Sequence, residues 1–118
     1  MLADRAAVLA ALLALHKAVL AAERRQLERV HGRLTNAAFL QLVSDPVRYG
    51  WLKPLSGLIL DFEADDDERP PDEELLDRTR RLLVPPQQKE AFGRRFLSLM
   101  QREPDLVLAQ GRLAGLLR

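Results

Sequence analysis

His16 and Glu23 are the residues whose types and spacing best suit a polar binding site. Both fall on the centre line of an apolar stripe on the first predicted helix, which turns by about 100° per residue. That stripe consists of Leu9, Leu12, Leu13, Leu20, Leu27 and Val30. The two polar residues are separated by about 10 Å along the helix axis. They are therefore too far apart to touch, and each needs its own partner.

Two interpretations of this pair remain open. In the structural one, His16 and Glu23 are hydrogen-bonded core residues that fix the register between helices, as single polar residues do in coiled coils. In the functional one, they line a small polar cavity with a donor from the third helix. Arg48 is the expected partner of Glu23, with Tyr49 and the Trp51 indole as alternatives.

Two other motifs resemble metal sites but lack essential ligands. Glu28 and His31 match the Glu-x-x-His pattern of di-iron bundles, which need that pattern on two helices. Both histidines of this chain lie in the first helix. The acidic run from Asp61 resembles a calcium loop, but Asp66 and Asp72 stand where an EF-hand needs glycine and glutamate. We therefore expect no metal and no cofactor.

Charge and motif content predict neither nucleic-acid binding nor catalysis. The formal net charge is +1, from 18 basic and 17 acidic residues. Basic pairs such as Arg24-Arg25, Arg80-Arg81 and Arg94-Arg95 are interleaved with acids, which predicts solvated helix faces. No Ser-His-Asp arrangement, glycine-rich phosphate loop or paired-carboxylate signature occurs. The sequence therefore predicts a protein that is not an enzyme.

The elements that must position these residues are all helical. Abundant Leu and Ala favour helix over strand, and 118 residues suffice for a single domain, 1–118. The pattern predicts a bundle of five or six helices: 3–31, 36–44, 46–62, a fourth from 72 to the Pro85-Pro86 pair, 87–103 and 105–117. An acidic loop occupies 63–72. Pro54 should kink the third helix near Gly50.

The expected core is aliphatic with a few aromatic side chains. Its anchors should be Leu13, Leu20, Leu27, Leu52, Leu55, Ile59, Phe62, Phe92, Phe96 and Leu99.

Several short motifs along the chain support a resemblance. They are Leu15-His16-Lys17, Glu23, Val30-His31-Gly32, Leu40-Gln41-Leu42, Asp45-Pro46, Trp51-Leu52-Lys53-Pro54-Leu55-Ser56 and Pro104-Asp105-Leu106-Val107-Leu108-Ala109. In these motifs the chain resembles a group of small uncharacterised bacterial all-helical proteins with no established activity. The resemblance implies a bacterial, intracellular, single-domain protein.

The N-terminal helix also suggests how the protein acts. Residues 6–15 are apolar nearly all round, which is typical of a helix covered on several sides. We therefore expect a twofold homodimer through this helix, with Leu9 and Leu12 facing the partner. The polar pair His16-Lys17 interrupts the apolar run and argues against a signal peptide. No stretch approaches the roughly 18 apolar residues of a membrane span, and a chain without cysteine fits the cytoplasm.

The predicted function is accordingly that of a non-catalytic, self-associating or partner-binding helical protein. The alternative is a ligand- or metal-binding bundle that uses the region of His16 and Glu23.

Overall fold

The computed structural model describes residues 4–118, and its longest element is helix α1, Arg5–His31. The Asp4 carboxylate caps its start by accepting a hydrogen bond from the Ala6 N–H at 3.0 Å. Gly32, with a φ of 75°, ends it and donates its N–H to the Glu28 carbonyl. The predicted start at residue 3 lies outside the described residues, and the cap places the first helical residue at Arg5.

Six further helices follow α1, and the order of elements confirms the all-α prediction. They are α2 (Asn36–Val43), α3 (Pro46–Tyr49), α4 (Lys53–Glu63), α5 (Asp72–Leu83), α6 (Ala91–Met100) and α7 (Pro104–Leu116). A 3₁₀ turn, Gly50–Leu52, joins α3 to α4. When α3 to α4 is counted as one irregular helix, the described chain contains six helices and no strand.

The break between α3 and α4 is the kink expected from Pro54. A proline lacks the N–H that would bond to the carbonyl four residues back, which here belongs to Gly50. The helix therefore tightens to 3₁₀ geometry at Gly50–Leu52, and Pro54 falls in the first turn of α4. Asp45 caps α3 by accepting from the Val47 N–H at 3.0 Å.

Helix α6 is shorter than the predicted segment 87–103. The chain after the proline pair forms a turn instead, and the Arg94 guanidinium donates to the carbonyls of Gln88 and Lys89 at 3.2 and 3.1 Å. This turn packs directly on α6 at Gly93, where a Cβ atom would overlap the Gln87 backbone. A glycine in α6 thus allows the preceding turn to fold back on the helix.

The core forms around α1, which packs against α4, α5, α6 and most extensively α7. Most of the predicted anchors are buried, namely Leu27, Leu52, Leu55, Ile59, Phe62, Phe92, Phe96 and Leu99. Leu20 is half-buried. Leu13 is 44% exposed, so its assignment to the core was wrong.

Leu13 is exposed because the buried face of α1 is rotated from the predicted one by about 70°. The first half of α1 buries Val8, Leu12, Leu15, Val19 and Ala22. The side of this half of α1 that faces away from the core carries small apolar side chains rather than charged ones. The buried and exposed sides therefore differ little in hydrophobicity. Leucine positions alone then predict the wrong meridian.

The last third of α1 has its own small apolar cluster of Leu27, Phe39 and Tyr49. Arg24 holds the start of α2 here by donating to the Leu34 carbonyl at 2.6 Å and to the Asn36 side-chain oxygen at 2.8 Å. Its guanidinium also lies 5.3 Å from the centre of the Phe39 ring. This end of α1 extends past the main core, and Val30 is 78% exposed.

Helix α1 is also long and apolar enough to cross a membrane by length and composition, with a mean hydropathy of 1.7 over an 18-residue window. A third of that window (33%) is buried inside the bundle. Core helices and signal sequences share these properties, so the absence of a membrane span stays a prediction.

Leu15→Ala and Leu13→Ala test which face of α1 is buried. Leu15 is fully buried, so its truncation should lower the free energy of unfolding by about 2–5 kcal/mol. Leu13→Ala alters helix propensity by the same amount but removes an exposed side chain. It should therefore lower the free energy of unfolding by less than about 1 kcal/mol. Urea unfolding measures both, and a larger loss at Leu13 would contradict the orientation.

Candidate functional site

The Glu23 carboxylate is buried and paired with an arginine. Its side chain is 3% exposed, and Oε1 accepts a hydrogen bond from the Arg95 Nε at 2.7 Å, while an Nη of the same guanidinium forms a salt bridge with that oxygen at 2.7 Å. The Arg95 side chain is 39% exposed and reaches Glu23 from the edge of α6. The prediction that Glu23 is buried and hydrogen-bonded to a cation is confirmed, but the expected cation, Arg48, was wrong.

Position on the helices explains this exchange of partners. Arg95 lies three residues after Phe92 and beside Phe96, so it flanks the buried face of α6. Arg48 lies on the solvent side of the short helix α3. The position of Arg95 beside the buried face of α6 could therefore have indicated it as a partner for Glu23. The adjacent Arg94 instead suggested that both arginines lie on a solvated face.

Tyr49 and Trp51 begin a row of aromatic rings that leads from this pair into the core. The ring centres of Tyr49 and Trp51 are 6.4 Å apart, and Trp51 lies 6.2 Å from Phe92. Phe92 in turn stacks on Phe96 at 5.5 Å. The row joins the apolar cluster at the end of α1 to the main core and fixes the 3₁₀ turn against α6.

Tyr49 is buried next to the carboxylate of Glu23. Burial, and then the charge of Glu23 and hydrogen bonding with it, raise the pKa of the Tyr49 hydroxyl, while Arg48 and Arg95 oppose the shift. The hydroxyl therefore stays protonated at neutral pH. Tyr49 thus serves as a hydrogen-bonding group rather than as a base.

These side chains line a cleft of about 390 Å³ between α1, the α3 segment and α6. Its lining consists of Glu23, Gln26, Leu27, Val30, Arg48, Tyr49, Trp51 and Arg95, which we call the Glu23 cleft. Four of the five candidate residues predicted from the sequence meet here. His16, the fifth, is not part of the lining.

Gln26 is a member of the cleft that the sequence analysis missed. Its amide nitrogen is buried and has no hydrogen-bond partner within residues 4–118. Its amide oxygen accepts a long hydrogen bond, 3.5 Å, from Arg102. An unsatisfied buried donor costs about 1–3 kcal/mol. No local sequence signal marks such a residue, because its isolation depends on which helices surround it.

His16 has a separate environment two turns before Glu23 on α1. Its Nε2 lies 3.2 Å from the Ser56 hydroxyl of α4, and the side chain is only half-buried. Burial lowers the pKa of the imidazole. His16 and Glu23 are each capped by a neighbour from a different helix, so they do not form one site.

A second buried carboxylate, Glu103, was also missed. It is 6% exposed and accepts from Nε and an Nη of Arg25, with the shortest contact at 2.6 Å. The hydrogen bond to Glu103 raises the pKa of Arg25. Glu103 immediately precedes Pro104, the first residue of α7, so this pair fixes the start of α7 against α1.

The two metal-like motifs have ordinary roles in the fold. Glu28 accepts from the Leu34 N–H at 2.8 Å, and His31 is exposed. In the acidic loop, Asp66 pairs with Arg69 at 2.8 Å. The described part of the chain contains no group of three or more His, Asp or Glu side chains placed to share a metal ion.

Comparison with family models, curated proteins and solved structures gives no match for this chain. The role of the Glu23 cleft and of the exposed face of α1 is therefore inferred from their geometry and chemistry.

The lowered pKa of His16 makes a prediction about stability and pH. The folded protein holds the imidazole proton less tightly than the unfolded chain, whose histidine has its ordinary pKa of about 6.5. The stability from the neutral ring is therefore present above about pH 6.5 and is lost as the pH falls from there toward the folded pKa.

We expect His16→Gln, which can keep a hydrogen bond to Ser56, to lose less stability than the unmodified protein between about pH 7.5 and pH 5.5. Urea unfolding at both pH values measures the difference. Equal losses in the two proteins would show that His16 does not titrate as proposed.

Proposed function

We propose that the chain is a non-catalytic interaction protein that associates with a second copy of itself through the outer face of α1. The observation that carries this proposal is the 44% exposure of Leu13 on a helix whose other side is the centre of the core. Ala6, Ala10 and Ala14 are exposed along the same line. We call Ala6, Ala10, Leu13 and Ala14 the outer face.

The composition of the outer face supports this assignment. Ala6, Ala10 and Ala14 recur every four residues and Leu13 follows Ala10 by three, so the four side chains lie on one side of the helix. Within residues 6–16 this line carries no charge, and Lys17 is the first charged residue on it. Solvated helices normally carry polar residues on such a line. Small side chains also let a second helix approach closely, with Leu13 as the central contact.

A twofold dimer is the simplest assembly that covers this surface, since one patch then serves both subunits. The interface differs from the one expected from the sequence, because Leu12 is fully buried and Leu9 is half-buried. Leu13 and Ala10 take their place. The bacterial, cytoplasmic setting implied by the resemblance and by the absence of cysteine belongs to the same proposal.

Leu13→Glu tests the proposed interface. A charge at the centre of an apolar contact should dissociate the dimer, and Leu60→Glu is the matched control because Leu60 is 67% exposed on α4. Sedimentation velocity at about 50 µM, well above a Kd of about 1 µM, should give a dimer for the unmodified protein and for Leu60→Glu, and a monomer for Leu13→Glu.

A monomeric unmodified protein under these conditions would contradict the proposal. So would a dimer that survives Leu13→Glu.

The alternative, a ligand-binding bundle, is favoured by one observation at the Glu23 half of the predicted region. That observation is the buried amide nitrogen of Gln26, which lacks a hydrogen-bond partner within residues 4–118 and belongs to a side chain that lines an open cleft.

A further inference from the structure

One side chain of the Glu23 cleft carries a buried hydrogen-bond donor that residues 4–118 leave unused. The Gln26 amide nitrogen has no partner among the described residues. Arg48, also in the lining, is exposed and forms no salt bridge within residues 4–118, and Trp51 is half-buried, so solvent reaches both of these side chains. A buried donor left without an acceptor, as at Gln26 within residues 4–118, points to an acceptor that comes from outside.

The charges of the cleft favour an anion. Its lining contains two guanidinium groups, Arg48 and Arg95, and one carboxylate, Glu23. Glu23 is already paired with Arg95, whose Nε donates to Oε1 and whose Nη lies 2.7 Å from the same oxygen. Among the cleft residues, Arg48 is therefore the cation that has no salt-bridge partner within residues 4–118, and a guanidinium binds a carboxylate through paired N–H groups.

The other lining residues favour a ligand whose anionic group is attached to a flat apolar group. The half-buried Trp51 presents part of its ring and the exposed Val30 adds aliphatic surface, beside the buried side chains of Tyr49 and Leu27. Val30 is 78% exposed although it lies on the meridian that α1 buries elsewhere. A volume of about 390 Å³ is in the range of small-molecule sites and is too small for a folded partner.

We propose that the Glu23 cleft binds a small aromatic carboxylate. The carboxylate lies between the side chains of Arg48 and Gln26, which both line the cleft. The aromatic ring packs on Trp51. This inference does not depend on self-association, because the outer face of α1 contributes none of the residues that line the cleft.

Titration of the full chain with phenylacetate tests this proposal. Trp51 is the single tryptophan, so intrinsic fluorescence reports directly from the cleft. Phenylacetamide has the same ring without the charge, and inorganic phosphate has the charge without the ring. We expect a saturable fluorescence change with phenylacetate and a Kd at least about fivefold weaker for each of the other two probes.

Arg48→Gln tests whether phenylacetate binds at the cleft or is attracted nonspecifically by positive charge on the protein. Arg48 is exposed and lacks a salt bridge in the described chain, so its loss should leave the fold intact, as circular dichroism can verify. The Kd for phenylacetate should rise about fivefold. Arg112→Gln, at an exposed position of α7 away from the cleft, should leave the Kd unchanged.

Gln26→Leu gives a second, independent readout. Removal of an unsatisfied buried amide should raise the urea midpoint of unfolding while it weakens phenylacetate binding. A purely structural glutamine would not combine these two effects.

Three results would overturn the proposal. The first is no saturable fluorescence change up to about 20 mM phenylacetate, which exceeds the roughly millimolar Kd expected for so small a ligand. The second is equal affinity for phenylacetamide or phosphate. The third is an equal loss of affinity in Arg48→Gln and Arg112→Gln.

Discussion

The arrangement of helices around the end of α1 depends on the Glu23 carboxylate, which lies on the buried side of that helix. A charge removed from water must be paired and hydrogen-bonded, or it strongly destabilises the fold. Arg95 meets this requirement and thereby fixes the register of α6 against α1. Once α6 is placed, Phe92 and Phe96 enter the core, and the Trp51 ring packs on Phe92. The cleft is the space left between these constrained elements.

The same physical device recurs at α7, where Glu103 pairs with Arg25. Both buried carboxylates therefore connect α1 to a helix far away in the sequence. Apolar burial along α1 supplies most of the stability, while such pairs select one arrangement among several that would bury similar area. The two halves of α1 differ accordingly. The first half packs through apolar side chains and leaves the outer face open, and the second half is surrounded by polar contacts and the cleft.

Local features were predictable from the sequence because their causes are local. Asp45 and Pro46 predicted the start of α3, Gly32 the end of α1, and Pro54 the kink near Gly50. The sequence also identified four of the residues that line the cleft. In these cases a single side chain or backbone group decides the conformation of its neighbours.

Features that depend on distant partners were not predictable in the same way. The rotation of α1 that exposes Leu13 follows from which helices surround it, and alanines on the outer line hid this choice. Glu23 selects Arg95 rather than Arg48 because of how α6 packs, which no spacing within α1 reveals. The isolation of the Gln26 amide likewise results from the assembled bundle. Sequence periodicity thus predicts which elements form, and tertiary packing decides which side chains meet.

A double-mutant cycle on Glu23 and Arg95 tests the central claim most directly. Urea unfolding of the unmodified protein, Glu23→Gln, Arg95→Gln and the double variant gives the coupling free energy between the two side chains. If this pair fixes α6 on α1, each single change destabilises the protein and the double change costs less than their sum, with a coupling of about 1–2 kcal/mol. A coupling within about 0.3 kcal/mol of zero would show that the two residues act independently and would contradict this account.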